Sequence, residues 1–333
     1  MTGLPETMPV VEMSAPGGPE VLEPGTRPLP RPAAGEVLIR VTAAGVNGPD
    51  LVQRRGHYPP PPGASDLLGL EVSGEVVALG EGTEGWAAGD RVCALTNGGG
   101  YAGYVAVNAG HVLTIPEGVS EQDAAGLPET YFTVWSNVFH GQSPRPGAVF
   151  LVHGGAGGIG STAIQIGAAM GLRVLTTVEP GEAADWVRSL GAERAIDFRA
   201  EDFVAACREA GGADIILDII GGDYVARNIK AARHDARLIQ LAFNLGSRVE
   251  IDLMPVMLKR LTYTGSTLRT RPEAFKTAVA ADLQARVWPL FAQGRLRSVT
   301  HTVLPFSRAA EAHALMESGA HRGKILLVPG QSG

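Results

Sequence analysis

Gly155, Gly157 and Gly160 stand in a G-x-G-x-x-G spacing, inside the run Ala148-Val149-Phe150-Leu151-Val152-His153-Gly154-Gly155-Ala156-Gly157-Gly158-Ile159-Gly160-Ser161. An apolar, β-rich stretch leads into the glycines. Ile159, Ala163, Ile166 and Met170 then place apolar side chains on one helical face. The context is therefore strand, turn, helix, and each glycine has a separate role. Gly155 permits the tight turn, Gly157 lets a pyrophosphate approach the backbone, and Gly160 lets the helix pack closely on the strand. Gly158 and Ile159 open the helix, where free N–H groups and the positive dipole end favour phosphate. The chemistry indicated is binding of a dinucleotide cofactor. The other reading is a glycine-rich turn with no ligand, since a chain with 44 glycines produces such spacings by chance.

A turn of this kind needs a parallel sheet to hold it, and the chain supplies the pattern. From about residue 131 helical stretches alternate with short apolar strands at 148–153, 172–178, 193–197, 214–220, 237–243 and 261–267. Before that point short strands and glycine turns dominate: Glu36–Val46, Gly74–Gly80, Gly89–Leu95 and Tyr101–Val107. These predict a compact β barrel. Pro59-Pro60-Pro61-Pro62-Gly63 predicts a rigid extended loop. A helix-rich segment at 273–293 and strands at Ser298–Leu304 and Lys324–Val328 form a tail too short for a domain, expected to pack back on the barrel.

Composition narrows the function. A chain of 333 residues is long for one core, so two domains are expected. The net charge of −6 argues against a general nucleic-acid or anionic-membrane binder. Cys93 and Cys207, the only cysteines, build neither a disulfide framework nor a zinc cluster. The N-terminus lacks a signal-peptide pattern and no apolar run reaches membrane-span length, so the expected setting is cytoplasmic.

Several spaced motifs carry a resemblance that covers nearly the whole chain. They are Ala44-Gly45-Val46-Asn47-Gly48-Pro49-Asp50, Arg55-Gly56-His57-Tyr58-Pro59, Gly69-Leu70-Glu71-Val72-Ser73-Gly74, Gly89-Asp90-Arg91-Val92, Leu127–Trp135 and Gly323-Lys324. Together they resemble the zinc-independent medium-chain dehydrogenase/reductases. Within these they resemble the NAD(P)H quinone oxidoreductases related to zeta-crystallin, in the branch of the p53-inducible quinone oxidoreductase. The resemblance implies an α/β chain with a GroES-like β-barrel domain at 1–131 and 273–333. It also implies a Rossmann doubly wound parallel-sheet domain at 132–272 and an active site in the cleft between them. Homodimers are common in the family, and the apolar strand Leu261–Thr267 is a sheet edge that could pair across a two-fold axis. In zinc-dependent relatives a cysteine stands at the position of Asn47 and a histidine at that of Leu70. Only Glu71 remains, and one carboxylate does not hold catalytic zinc, so no metal is expected. Acceptors needing little electrophilic help are left: a quinone, or alternatively the activated C=C bond of an enone or enoyl thioester. A third reading, a cofactor-binding protein with a structural or RNA-binding role, is disfavoured by the acidic charge and the lack of aromatic–basic interleaving.

The resemblance also assigns residues. Glu179 lies 19 residues after Gly160, where an acid accepts from the ribose 2′-OH and repels a 2′-phosphate. Where NADPH users share an Ala-Gly-Ser-x-x-Lys pattern, this chain has Val178-Glu179-Pro180-Gly181-Glu182-Ala183, proline standing for the serine and alanine for the lysine, so NADH is expected over NADPH. The alternative is a solvated Glu179, with Arg188 or another cation taking the phosphate. Thr133, Ser266 and Leu268 are expected along the nicotinamide half, and Phe243 ends a sheet strand beside it. Phe198 replaces a tyrosine near the adenine, and Lys324 is a further cofactor contact. Tyr58 is the candidate proton donor, its phenol being protonated at neutral pH and able to hydrogen-bond a developing oxyanion. The competing role is that it only lines the pocket. Asn47 is expected to donate to the substrate carbonyl or to orient the nicotinamide. Asp50 is expected to anchor the following helix, and His153 to be structural. Lys259-Arg260 and Arg269-x-Arg271 form a basic cluster that could serve phosphates, a subunit contact or solvent.

Overall fold

The computed structural model describes residues 3–330. Its strands, in chain order, begin with β1 (Thr7–Met13), β2 (Leu22–Pro28), β3 (Glu36–Gly45), β4 (Glu71–Leu79), β5 (Arg91–Leu95), β6 (Tyr104–Asn108) and β7 (Val112–Thr114). Then come β8 (Val149–His153), β9 (Arg173–Val178), β10 (Arg194–Asp197), β11 (Ala213–Asp218), β12 (Ala232–Gln240) and β13 (Thr262–Gly265). The last are β14 (Thr300–Pro305) and β15 (Lys324–Val328). Two compact units result: Met1–Phe132 with Arg269–Gly333, and Thr133–Leu268. Arg269 to Pro272 thus side with the first unit, because the Arg269 side chain is held by Asn97 and Gln53.

The first unit is built on a curled sheet ordered β14-β15-β3-β4-β5-β7, with β6 on β3. Its neighbours pair antiparallel except β14 and β15. Alternate residues of the strands fill one core, including Val37, Ile39, Val72, Val92, Ile325 and Leu327. The tail joins this unit by edge pairing: Leu326 and Leu327 of β15 face Gly45 and Ala44 of β3. The antiparallel ribbon of β1 and β2 carries no expectation from the sequence. β2 reads Leu-Glu-Pro-Gly-Thr-Arg-Pro, and two prolines and a glycine mask a strand that lies off the main sheet.

The second unit is a six-stranded sheet ordered β10-β9-β8-β11-β12-β13, every pair parallel. This is the doubly wound order whose switch point lies between β8 and β11. Burial on both faces explains the continuous apolar runs Phe150-Leu151-Val152 and Ile215-Ile216-Leu217. β12 starts earlier than the expected 237, and ends before 243. Its first half, Ala-Arg-His-Asp, hides from a hydrophobicity reading, and Asp235 has φ 61° there. β13 is the outer strand and all four of its residues are exposed. The stretch before it and the strand itself expose Leu245, Leu253, Met254, Met257, Leu258 and Tyr263.

Candidate active site

The glycine turn follows β8 at the switch point. Its left-handed residue is Gly154, with φ 73°, so the tight turn is made one residue before the position expected. Gly155 is needed for another reason, since a Cβ there would overlap Thr176 Oγ1 of β9. Gly160 is confined by the Gly154 carbonyl oxygen, on which a Cβ would fall. Gly157 caps the helix Gly158–Ala169, and a Cβ on it would meet only Gly154 O, at 3.8 Å. The surface over Gly157 is thus open, beside the N–H groups of Gly158 and Ile159 that a first turn leaves without helical partners. Such a cradle fits the pyrophosphate of a dinucleotide.

A buried polar chain fixes the turn. His153 is fully buried and accepts from Thr177 Oγ1 at 3.1 Å, while its other nitrogen donates to Asn228 Oδ1 at 2.8 Å. Thr177 Oγ1 also accepts from Gly154 N at 3.2 Å. Asn228 donates to Asp218 Oδ2 at 2.9 Å, and Asp218 Oδ1 accepts from Ile220 N and Gly221 N. Burial lowers the His153 pKa, which keeps the imidazole neutral and able to serve both neighbours. His153 is therefore structural, tying the ends of β8, β9 and β11 together.

Farther along the same unit, Glu179 follows β9 and is ion-paired with Arg199 at 2.5 Å, both side chains being exposed. The Arg199 guanidinium also lies 5.5 Å from the exposed Phe198 ring. Phe243 is exposed in the loop after β12. Ser266 donates to Asn137 Oδ1 at 2.8 Å, Asn137 in turn donates to the Thr133 carbonyl, and Leu268 is buried.

In the first unit, Asn47, Glu71 and Lys324 form a closed cluster. The Lys324 ammonium lies 2.6 Å from Glu71 Oε1 and donates to Asn47 Oδ1 at 2.5 Å and Val46 O at 3.2 Å. Asn47 donates its amide to Glu71 Oε1 at 2.8 Å. Asn47 and Lys324, expected at substrate or cofactor, thus spend their polar atoms on each other and on Glu71. The sequence could not show this, because 277 residues separate them. Asn47 also caps the helix Gly48–Arg54, and Asp50 accepts from Asn47 N and Gly69 N at 2.9 Å each. Asp50 anchors that helix. Full burial pushes its pKa up to about 6 against these two bonds. Among the described residues no group of three His, Cys, Asp or Glu side chains is placed to hold a metal ion.

Beside this cluster lies a second one, of which the sequence reading singled out Tyr58 as the proton donor and Arg269 only as part of a basic cluster. The Arg269 guanidinium lies 5.6 Å from the Tyr58 ring centre. It is fixed by Asn97 O at 2.9 Å and Gln53 Oε1 at 2.6 Å. Lys276 donates to Asn97 Oδ1 at 2.9 Å and is 1% exposed. Glu129, 8% exposed, hangs from the helix Pro128–Val138, and its N–H donates to Glu71 Oε2 at 2.8 Å. Tyr58 is half-buried. Burial raises its pKa, the Glu129 charge adds to the rise, and Arg269 opposes it. The phenol therefore keeps its proton at neutral pH and is able to donate it. The signal for Glu129 was a lone acid in Leu127–Phe132, which reads equally as a solvated first-turn residue of a helix.

Comparison with known proteins agrees with this architecture. An alcohol dehydrogenase GroES-like domain matches residues 33–117, and a zinc-binding dehydrogenase family matches 190–327. The quinone oxidoreductase of Sus scrofa is 31% identical over 94% of this chain and 95% of its own length. A mycobacterial structure complexed with NADPH is 27% identical, with a TM-score of 0.85 over 97% of this chain and 100% of that one. The enoyl reductase CurK is 26% identical, with a TM-score of 0.83 over 98% and 100%. Fold, cradle and relatives make the chain an NAD(P)H-type oxidoreductase, and it belongs to the zinc-independent medium-chain dehydrogenase/reductases, in the quinone oxidoreductase family.

Proposed function

We propose that the chain transfers a hydride from NAD(P)H to a quinone, with an enone or enoyl thioester C=C bond as the alternative acceptor. The observation that carries this reading is Tyr58, a half-buried phenol whose hydroxyl has no hydrogen-bond partner among the described residues. It stands in a unit whose Glu71 is taken up by an ammonium. When bound, the reduced nicotinamide supplies the hydride. The chain's own residues supply binding, orientation and a proton. Gly155, Gly157, Gly158, Ile159 and Gly160 hold the pyrophosphate; Glu179 and Phe198 serve the adenosine half, and Thr133, Phe243, Ser266 and Leu268 the nicotinamide half. Tyr58 donates to the acceptor oxygen that gains negative charge. Asn47 and Lys324 act by keeping that part of the barrel rigid.

NADH is the preferred donor, because the Glu179 carboxylate suits a ribose 2′-OH. Arg199 beside it offsets part of the repulsion toward a 2′-phosphate, so the preference is modest. The chain works as a homodimer, a second copy covering β13 and the apolar side chains that precede it. Light scattering on the eluting protein tests this, and a monomer at micromolar concentration would contradict it. A cytoplasmic setting suits the two free buried cysteines. Following nicotinamide oxidation with 1,2- and 1,4-quinones beside enones tests the reaction. Higher kcat/KM with quinones is expected. A clear preference for enones moves the assignment to C=C reduction, and cofactor binding without any turnover overturns it.

A further inference from the structure

We propose that Arg269 and Lys276 bind an oxyanion carried by the acceptor, so that the substrate is an acid: a quinone or enone bearing a carboxylate. That the anion belongs to the acceptor rests on reading Tyr58 as the proton donor. Among the described residues the buried lysine and arginine side chains are Arg54, Arg269, Lys276 and Lys324. Lys324 is paired with Glu71 at 2.6 Å, and Arg54 with Glu317. Arg269 and Lys276 are paired with no carboxylate among the described residues. Arg269 Nε donates to Asn97 O at 2.9 Å, one terminal nitrogen donates to the same oxygen at 2.5 Å, and the other donates to Gln53 Oε1 at 2.6 Å. Lys276 donates to Asn97 Oδ1 at 2.9 Å. Asn97 thus holds both cationic heads, one by its main chain and one by its side chain. Buried charges are ordinarily paired, and two unpaired ones on a single residue leave room for an anion from outside the chain.

The acids around them do not fill that place. Glu273 accepts from Asn108 Nδ2 at 3.1 Å, and Asp50 is engaged by Asn47 N and Gly69 N. Burial pushes the Glu129 carboxyl up to about 8, so it carries little charge at neutral pH. Burial also lowers the pKa of both Arg269 and Lys276, the mark of charge held without a counterion. Donors remain for a ligand. A guanidinium has five N–H bonds and an ammonium three, so each head keeps two after the bonds above. Gly98, at φ 130°, has no side chain where a Cβ would stand 2.9 Å from an Arg269 terminal nitrogen. The Tyr58 ring centre lies 5.6 Å from the guanidinium. A carboxylate on the two cations therefore sits beside the phenol that serves the acceptor oxygen.

The test pairs acids with their methyl esters: a 1,4-benzoquinone carrying a propanoate chain, and the enone acid acetylacrylate. In wild type kcat/KM is expected to be higher for the acid by about tenfold or more, through KM. Arg269→Met and Lys276→Met are each expected to bring the acid-to-ester ratio down to about one. Lys276→Met removes an unpaired buried charge, so its melting temperature is expected not to fall, which separates a lost ratio from misfolding. Equal kcat/KM for acid and ester in wild type overturns the proposal, and so does a ratio that survives in both variants. Calorimetry with the hydroquinone form of the propanoate reads binding without turnover. Wild type is expected to bind this acid at least about tenfold tighter than its methyl ester, and equal binding overturns the proposal. Inorganic phosphate is the control for the source of the anion: phosphate binding lost in Lys276→Met, with no binding of the propanoate, assigns the pair to a phosphate and overturns the acid substrate. A wild-type kcat in Tyr58→Phe removes the donor reading instead, while an acid preference lost in Lys276→Met still upholds the anion site.

Discussion

Two buried polar clusters adjoin each other in the barrel unit, and they are built in opposite ways. Around Lys324 every donor has an oxygen: Glu71, Asn47 and Val46 surround the ammonium, and Glu71 also takes the Glu129 N–H. Around Tyr58 the polar atoms are left open. Its hydroxyl is unpartnered among the described residues, and Arg269 and Lys276 are met by neutral oxygens. A saturated buried network is stiff, and breaking it leaves a charge stranded. An unsaturated one keeps groups free to exchange protons. The closed cluster is the more deeply buried of the two, with Glu71 fully buried, whereas Tyr58 is half-buried.

Changes on the closed side are expected to act on stability most strongly. Lys324→Met strands the Glu71 carboxylate in a dry site, and a loss of about 3–5 kcal/mol is expected in denaturant unfolding. A loss under about 1 kcal/mol, the range of a surface pair, would show that the cluster is not closed. Gly160→Ala sets a Cβ against the Gly154 carbonyl and displaces the start of the helix Gly158–Ala169. Calorimetry is expected to show weaker cofactor binding by about tenfold, or about 1.4 kcal/mol.

On the open side, pH is the sharper tool. The folded-state pKa of Glu129 lies near 8 against an ordinary value of 4.5. Its contribution to stability is complete below the ordinary value and is lost as pH rises through about 8. The melting temperature of wild type is therefore expected to fall over that window more than that of Glu129→Gln; parallel curves would mean that Glu129 is ionised throughout. The smallest effect expected is at the adenosine end. Glu179→Gln is expected to raise kcat/KM with NADPH relative to NADH by about threefold, well under 1.4 kcal/mol. No change in the ratio would leave Glu179 as the surface partner of Arg199.

The glycine turn was legible because its signals are local: an apolar strand, three spaced glycines and an apolar helix face within a few turns of chain. Even there the spacing misassigned the left-handed residue, since Gly154 rather than Gly155 has positive φ. The parallel strand rhythm was equally legible, except in β12, whose first residues are polar. The barrel clusters were not. Lys324 meets Asn47 across 277 residues and Arg269 meets Gln53 across 216, and no periodicity encodes such contacts. Glu129 carries the same letters whether its helix terminus is exposed or buried; only packing decides, and packing buried it.

The proposed proton transfer from Tyr58 to a quinone can be tested without knowing the physiological acceptor. Its most direct test is kcat for Tyr58→Phe with a 1,4-quinone, read beside the melting temperature. If Tyr58 donates the proton, kcat is expected to fall by about a hundredfold with the melting temperature unchanged. An unchanged kcat would contradict it and leave Tyr58 as a wall of the acceptor site.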